Sequence, residues 1–226
     1  SIALVNVIVG VLLTGNPLVG IVGLLIFIAA YMGMAALIHL RNIPAIVVTL
    51  GAQFVWYGIA LIICPTPGGK CPELISNILR IQTPVVPLPI IIAVLAGLLC
   101  WFILYRSRYG MVMRGIGNNP NSVERSGWNY LTAKMTNYGM AGLMVVLSGM
   151  TFTASCNGAD ANSSVNYCML SIATVILGGC EMAGGIVEPA GVVIAAIAMN
   201  LINSLLTAMK VNSNYQTAII GLILIA

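Results

Sequence analysis

LVGIVGLLIFIAAYMGMAALI, residues 18–38, is an uncharged run of 21 residues, apolar apart from the Tyr31 hydroxyl. A membrane-spanning helix needs about 20 mostly apolar residues, each rising roughly 1.5 Å, to cross a hydrocarbon core about 30 Å thick. Lipid offers no partner for free backbone N–H and C=O groups, so a run of this length reads as helix, with every bond closed inside the segment. A transmembrane barrel strand would alternate apolar and polar residues, and this stretch does not.

The pattern repeats outward in both directions. Asp, Glu, Lys and Arg are absent from 1–40, 42–69, 81–105, 135–159, 161–180, 189–209 and 211–226. Apolar runs and their breakers predict helices near 1–14, 18–38, 44–63, 88–105, 135–153, 168–179, 189–208 and 214–226. Asn16 with Pro17, Asn42 with Pro44, the Pro65–Gly69 stretch, and Pro84 with Pro87 supply turn chemistry at the breaks. The chain is 60% hydrophobic and 6% charged, with a mean hydropathy of +1.04, where a soluble domain carries about a quarter charged residues. These features exclude a water-soluble globule and predict an all-α, polytopic transmembrane helical bundle, one domain over 1–226. Ser1 is not preceded by a basic region with a cleavage site, and Ala226 falls inside an apolar run. The sequence is therefore expected to be clipped at both ends and to carry no removable signal peptide.

Charge sets the expected orientation. With the ends of the second, fourth and sixth helices facing the cytoplasm, that side holds Arg41, Arg106, Arg108, Arg114, Arg125 and Lys134, leaving Lys70, Arg80 and Lys210 outside. Six against three obeys the positive-inside rule, so the formal +4 charge is topological and implies no nucleic acid. Trp56, Tyr57, Trp101, Tyr105, Tyr109, Trp128 and Tyr130 fall near predicted span ends, where amphipathic rings settle at headgroups, with simple packing as the alternative. Gly139, Ala141, Gly142 and Gly149 predict a close helix–helix contact.

The loop RSRYGMVMRGIGNNPNSVERSGWNY, 106–130, is the most polar segment. Asn119 can cap a short helix, Pro120 suits its first position, Ser122 lies within it, and Gly127 suits a left-handed stop. Glu124 and Arg125 would project from it toward a partner; the alternative is a plain connector.

The residues here resemble the permease family of bacterial ABC sugar importers, the ribose, xylose and galactose type. The loop pattern is Arg108, Gly110, Gly117, Asn119, Ser126 and Gly127. Upstream, Thr49-Leu50-Gly51 sits within 42–61, and downstream SIATVILGGCEMAGG carries the glycine pairs Gly178-Gly179 and Gly184-Gly185, followed by NSNYQ at 212–216. The chain departs from the pattern at Val187, where a further glycine is usual, and at Glu181 and Glu188. The resemblance implies a type II importer fold of ten helices, of which about eight are present here. It implies a second permease subunit, as homo- or heterodimer, and two cytoplasmic ATPase subunits that bind ATP and Mg and dock on the helix near 119–127. It also implies an extracytoplasmic binding protein, and a bacterial cytoplasmic membrane as the location. The chain itself would be no enzyme and hold no cofactor, the glycine pairs serving as a conformational motif.

Other chemistries find little support. The single Gly-Lys, Gly69-Lys70, is followed by Cys71 rather than Ser or Thr, so no nucleotide-binding loop is present. His39 is the only histidine, which excludes a multi-His metal site. Cys64 with Cys71 and Cys156 with Cys168 fall in predicted outer loops, where disulfides or packed thiols are both open. Asn162-Ser163-Ser164 reads only as polar loop. Asn6, Thr49, Gln53, Asn200, Asn203, Ser204 and Thr207 are uncharged polar residues within spans. Of these, Gln53, Asn200, Asn203, Ser204 and Thr207 are candidates for a translocation pathway for a sugar or similar polar solute, with interhelical bonding as the alternative. An ion-coupled transporter or channel is the rival function, and an intramembrane enzyme a second.

Overall fold

A computed structural model of the chain describes residues 1–41, 43–69, 71–72, 88–119, 123, 125–162, 167–181, 185–210, 215–216, 218–219 and 221–222. They are helical apart from connecting turns and one isolated antiparallel bridge between Gly68 and Ala159. The helices are α1 (Ile2–Val7, continued by a π-helical stretch Ile8–Leu13), α2 (Pro17–Arg41), α3 (Ala45–Ile63), α4 (Leu88–Arg106), α5 (Arg108–Asn118), α6 (Tyr130–Cys156), α7 (Tyr167–Leu177) and α8 (Pro189–Ala208).

Among the described residues, α2, α3, α6 and α8 are each long and apolar enough to cross a bilayer, and α4 with α5 forms a pair bent by 76°. The expected spans near 1–14 and 168–179 are shorter helices, Ile2–Leu13 and Tyr167–Leu177. The expected 214–226 span lies largely outside the described residues. α6 begins at Tyr130, five residues before the predicted start, because Asn129 caps it by accepting from the Leu131 N–H at 3.1 Å. Lys134 is tolerated inside that first turn by resting its ammonium over the Tyr130 ring, 5.3 Å from the centroid, with its apolar stem along the helix.

The chain divides into two compact units, 1–93 with 129–165, and 94–128 with 166–226. In the first unit α1 is the centre: Ala3 through Gly10 are all buried, enclosed by α2, α3 and α6. Lipid tails are as apolar as leucine, so close packing and hydrogen bonds hold such helices together. α6 presents a stripe of Gly139, Gly142, Val146, Gly149 and Thr153, all buried, at the alternating three- and four-residue spacing of one helix face. Gly142 meets Tyr31 and Ile28 of α2, and Gly149 meets Val5 of α1 with no room for a side chain. Ala141, expected with them, points away and is exposed. Thr153 and Asn6 are fully buried, and the Thr153 hydroxyl reaches Asn6 Oδ1 at 3.2 Å and its own helix carbonyl at Gly149 at 2.8 Å.

The loops of this unit meet at consistent ends. His39, closing α2, stacks on Tyr130, opening α6, with ring centroids 5.2 Å apart. The 64–69 turn after α3 pairs with the 157–161 turn after α6 through Gly68 and Ala159 N–H···O bonds of 3.0 and 2.8 Å. Tyr57 adds a 2.6 Å bond to Asn162 Oδ1. These contacts set α3 and α6 in one direction and α2 in the opposite one. Trp56 packs edge-on to Phe27 at 5.5 Å rather than marking a span end. Cys64 and Cys156 are free thiols, so neither bridge considered from the sequence is formed; Cys64 instead donates to the Thr66 carbonyl at 3.1 Å.

Candidate functional site

The second unit holds the loop singled out by its polarity. Its first part is helical rather than loop: α5 has 11 residues and is capped by Ser107, whose hydroxyl accepts from the Tyr109 N–H at 3.2 Å. The reason for the sharp bend at Ser107 is Gly110, since a Cβ there would run into the backbone carbonyls of Leu104 and Ile103 as α5 folds back against the end of α4. Arg108 is exposed at the start of α5 and Gly117 is exposed near its end.

Asn119 is extended, φ −155° and ψ 99°, and its N–H closes α5 on the Gly115 carbonyl at 2.9 Å. That extended backbone suits the start of a helix, but Pro120, Ser122 and Glu124 lie outside the described residues, so the expected 120–127 helix is described only in part. Val123 is buried and helical; a Cβ built on Gly115 would lie 3.2 Å from Val123 Cγ2, so this turn lies back on α5. Arg125 is helical and exposed, the Ser126 N–H donates to the Val123 carbonyl at 3.2 Å, and Gly127 has φ +80°, the left-handed stop. Trp128 closes the turn edge-on to Tyr109 at 5.3 Å.

The first glycine pair ends α7. Gly179 has φ +84°, and its N–H and that of Cys180 fold back to the Ile176 and Val175 carbonyls. Gly178 lies against the backbone of Val192, and Gly191 of α8 against the Gly178 carbonyl, so α7 and α8 touch backbone to backbone. Of the second pair, Gly184 lies outside the described residues; Gly185 packs on the Arg114 carbonyl of α5, leaving no space for a Cβ. The Gly185 N–H donates to Asn118 Oδ1 at 3.3 Å, and the Tyr105 hydroxyl donates to the Val187 carbonyl at 2.8 Å. The Arg114 guanidinium covers the Tyr105 ring at 4.9 Å. Tyr105, Arg114 and Asn118 were missed as site residues in the sequence; an aromatic near the end of α4 and an amide at the end of α5 were the available signal.

On α8, Asn200, Ser204 and Thr207 are exposed at helical spacing, whereas Asn203, four residues after buried Met199, is half-buried at the edge of the buried side of Ala195 and Met199. Asn200 and Thr207 bond back to the Ala196 and Asn203 carbonyls at 2.9 and 2.8 Å, which masks one donor of each in an apolar surrounding. Gln53 is half-buried on α3 of the first unit. Among the described residues, no group of three or more His, Cys, Asp or Glu side chains is gathered as a metal site.

The chain is similar to the ribose import permease protein RbsC of Bacillus subtilis, 29% identical over 140 residues, covering 62% of this chain and 44% of that protein. It is similar to the D-allose transport system permease protein AlsC of Escherichia coli K12, 26% identical over 192 residues, 84% of this chain and 59% of that one. The autoinducer 2 import system permease protein LsrD of Enterobacter sp. 638 aligns over all of this chain and 72% of its own length at 23% identity. The chain thus spans about half the length of the first two. No solved structure matches. Residues 1–226 match the family described as the permease component of the branched-chain amino acid transport system, and the chain, a multi-pass helical membrane protein, belongs to that family.

Proposed function

We propose that this chain is the transmembrane channel subunit of an ATP-driven importer of a sugar or related small polar solute, seated in a bacterial cytoplasmic membrane. The observation that carries the reading is the polar segment 108–127: a capped helix, a turn ending at Gly127 with φ +80°, and an exposed Arg125, all following an apolar helix. An ion-coupled carrier has no need of such a handle. The names of the relatives, import permeases for ribose, allose and autoinducer 2, support the solute class.

In this reading two separate ATPase subunits bind ATP and Mg and grip residues 119–127 from the cytoplasm. A second permease subunit completes the pathway, and an extracytoplasmic binding protein delivers the solute. Arg108, Gly110, Gly117, Asn119 and Ser126 shape the handle, and the glycine pairs Gly178-Gly179 and Gly184-Gly185 let α7 and α8 shift as it moves. Gln53, Asn200, Asn203, Ser204 and Thr207 offer neutral amides and hydroxyls to the solute, since several weak hydrogen bonds hold a sugar yet permit release. The six basic residues of the cytoplasmic side fix the orientation.

The test is uptake of radiolabelled pentoses and hexoses into vesicles carrying the permease with its ATPase and binding protein. Uptake that needs both ATP and the binding protein supports the reading. Uptake driven by an ion gradient without ATP overturns it in favour of a secondary transporter.

A further inference from the structure

The proposed handle has a defined connection to the pore helices. The 185–188 segment, which leads directly into α8 at Pro189, is strapped to α5 and the end of α4 at two points. The Asn118 amide oxygen accepts the Gly185 N–H at 3.3 Å, and the Tyr105 hydroxyl donates to the Val187 carbonyl at 2.8 Å. Between them Gly185 sits flush on the Arg114 carbonyl, and Arg114 lies over the Tyr105 ring at 4.9 Å. The strap is closed on itself as well. The Glu181 N–H donates to the Ile186 carbonyl at 3.3 Å, and the Glu188 N–H to the Cys180 sulfur at 3.3 Å. These bonds tie the described residues 185–188 to Cys180 and Glu181 as well as to α5, so displacing the segment breaks its bonds one by one.

We infer that Tyr105 and Asn118 are positioning residues of a clasp that makes α5 pull the start of α8, so that displacement of the handle is delivered to the helix bearing Asn200, Asn203, Ser204 and Thr207. The inference rests on the importer reading above. Both side chains bond to backbone rather than to other side chains, so the clasp registers where the 185–188 segment is and not what residues it carries. Val187, which departs from the family pattern, contributes only its carbonyl. Gly185, by contrast, is fixed by sterics. Any Cβ would push the segment off α5 and lengthen the Asn118 bond.

The experiment reconstitutes the complete transporter, permease with ATPase and binding protein, and measures solute imported per ATP hydrolysed. Tyr105→Phe and Asn118→Ala each remove one clasp bond and keep the bulk of the fold. Asn118→Asp keeps the acceptor oxygen. The ratio is expected to fall roughly fivefold in Tyr105→Phe and in Asn118→Ala, the worth of one hydrogen bond, and to stay within about twofold of the parent in Asn118→Asp. A variant that is merely less stable lowers uptake and hydrolysis together and leaves the ratio unchanged. An unchanged ratio in both Tyr105→Phe and Asn118→Ala, or equal loss in Asn118→Asp and Asn118→Ala, overturns the clasp. Absence of ATP-dependent uptake by the parent protein overturns the importer reading instead, so the two failures are told apart.

Discussion

Replacing Thr153 by valine keeps the shape of the side chain and removes one hydroxyl from the most buried point of the first unit. Thr153 and Asn6 both have 0% exposure, and the hydroxyl lies 3.2 Å from Asn6 Oδ1 and 2.8 Å from the Gly149 carbonyl. Its one proton serves two acceptors. Gly149 O keeps its place in the α6 hydrogen-bond ladder without it, whereas Asn6 Oδ1 is left with no partner. The lost bond is worth about 1 kcal/mol, and interhelical bonds in lipid average roughly 0.6. The orphaned amide oxygen raises the cost, so Thr153→Val is expected to destabilise by about 1.5 kcal/mol, equivalent to a melting temperature lower by about 3–6 °C. Thr153→Ser keeps the hydroxyl and loses only a methyl group, about 1 kcal/mol. The sharper test is the double variant. With Asn6→Leu added, neither polar group remains, and the second change should add less than about 0.5 kcal/mol to the first. Thermal unfolding of the detergent-purified protein, followed by fluorescence of its tryptophans, measures these three variants and Asn6→Leu alone. Full additivity of the two substitutions, or a Thr153→Val protein as stable as the parent, would refute the idea that this pair ties α1 to α6.

Three further outcomes follow from the same geometry. Gly149→Leu should cost about 1–3 kcal/mol by forcing atoms into Val5, while Gly51→Ala, with open space around its Cβ, should be neutral or stabilising by up to about 1 kcal/mol in the same melts. Gly127→Ala forces a side chain into φ +80°, at a cost of about 1–2 kcal/mol, and should weaken co-purification of the ATPase, with Gly127→Asn weakening it less. Exposed Cys156 should react with a membrane-impermeant maleimide added outside intact cells, with or without prior reduction, and buried Cys64 should react only after unfolding; labelling of Cys156 from the cytoplasmic side alone contradicts the assigned orientation.

Much of the fold was legible because lipid imposes a simple rule: length and apolarity make a span. That rule located α2, α3, α4 and α8 to within three residues of their ends. It failed on α5, whose RYGMVMRGIGN is amphipathic and glycine-rich and so resembles loop; the Ser107 cap that starts it was the overlooked signal. It placed the start of α6 late because Lys134 was treated as a boundary, although its neighbour Tyr130 shelters the charge. Gly127 was readable as a left-handed stop after a capped helix, whereas Gly179 stood out only through the resemblance and its φ of +84° had no signal of its own. The backbone bonds of Tyr105 and Asn118 were not readable, because a partner that is a carbonyl or an N–H leaves no trace in the identity of residues 185 and 187.

What touches position 125 decides whether an ATPase grips this chain. A photo-crosslinking amino acid placed there, in the exposed turn before Gly127, should join the chain to a cytoplasmic ATPase on illumination of intact cells, and the yield should change when ATP is depleted. Crosslinking only to lipid or to an extracytoplasmic protein would contradict such a grip.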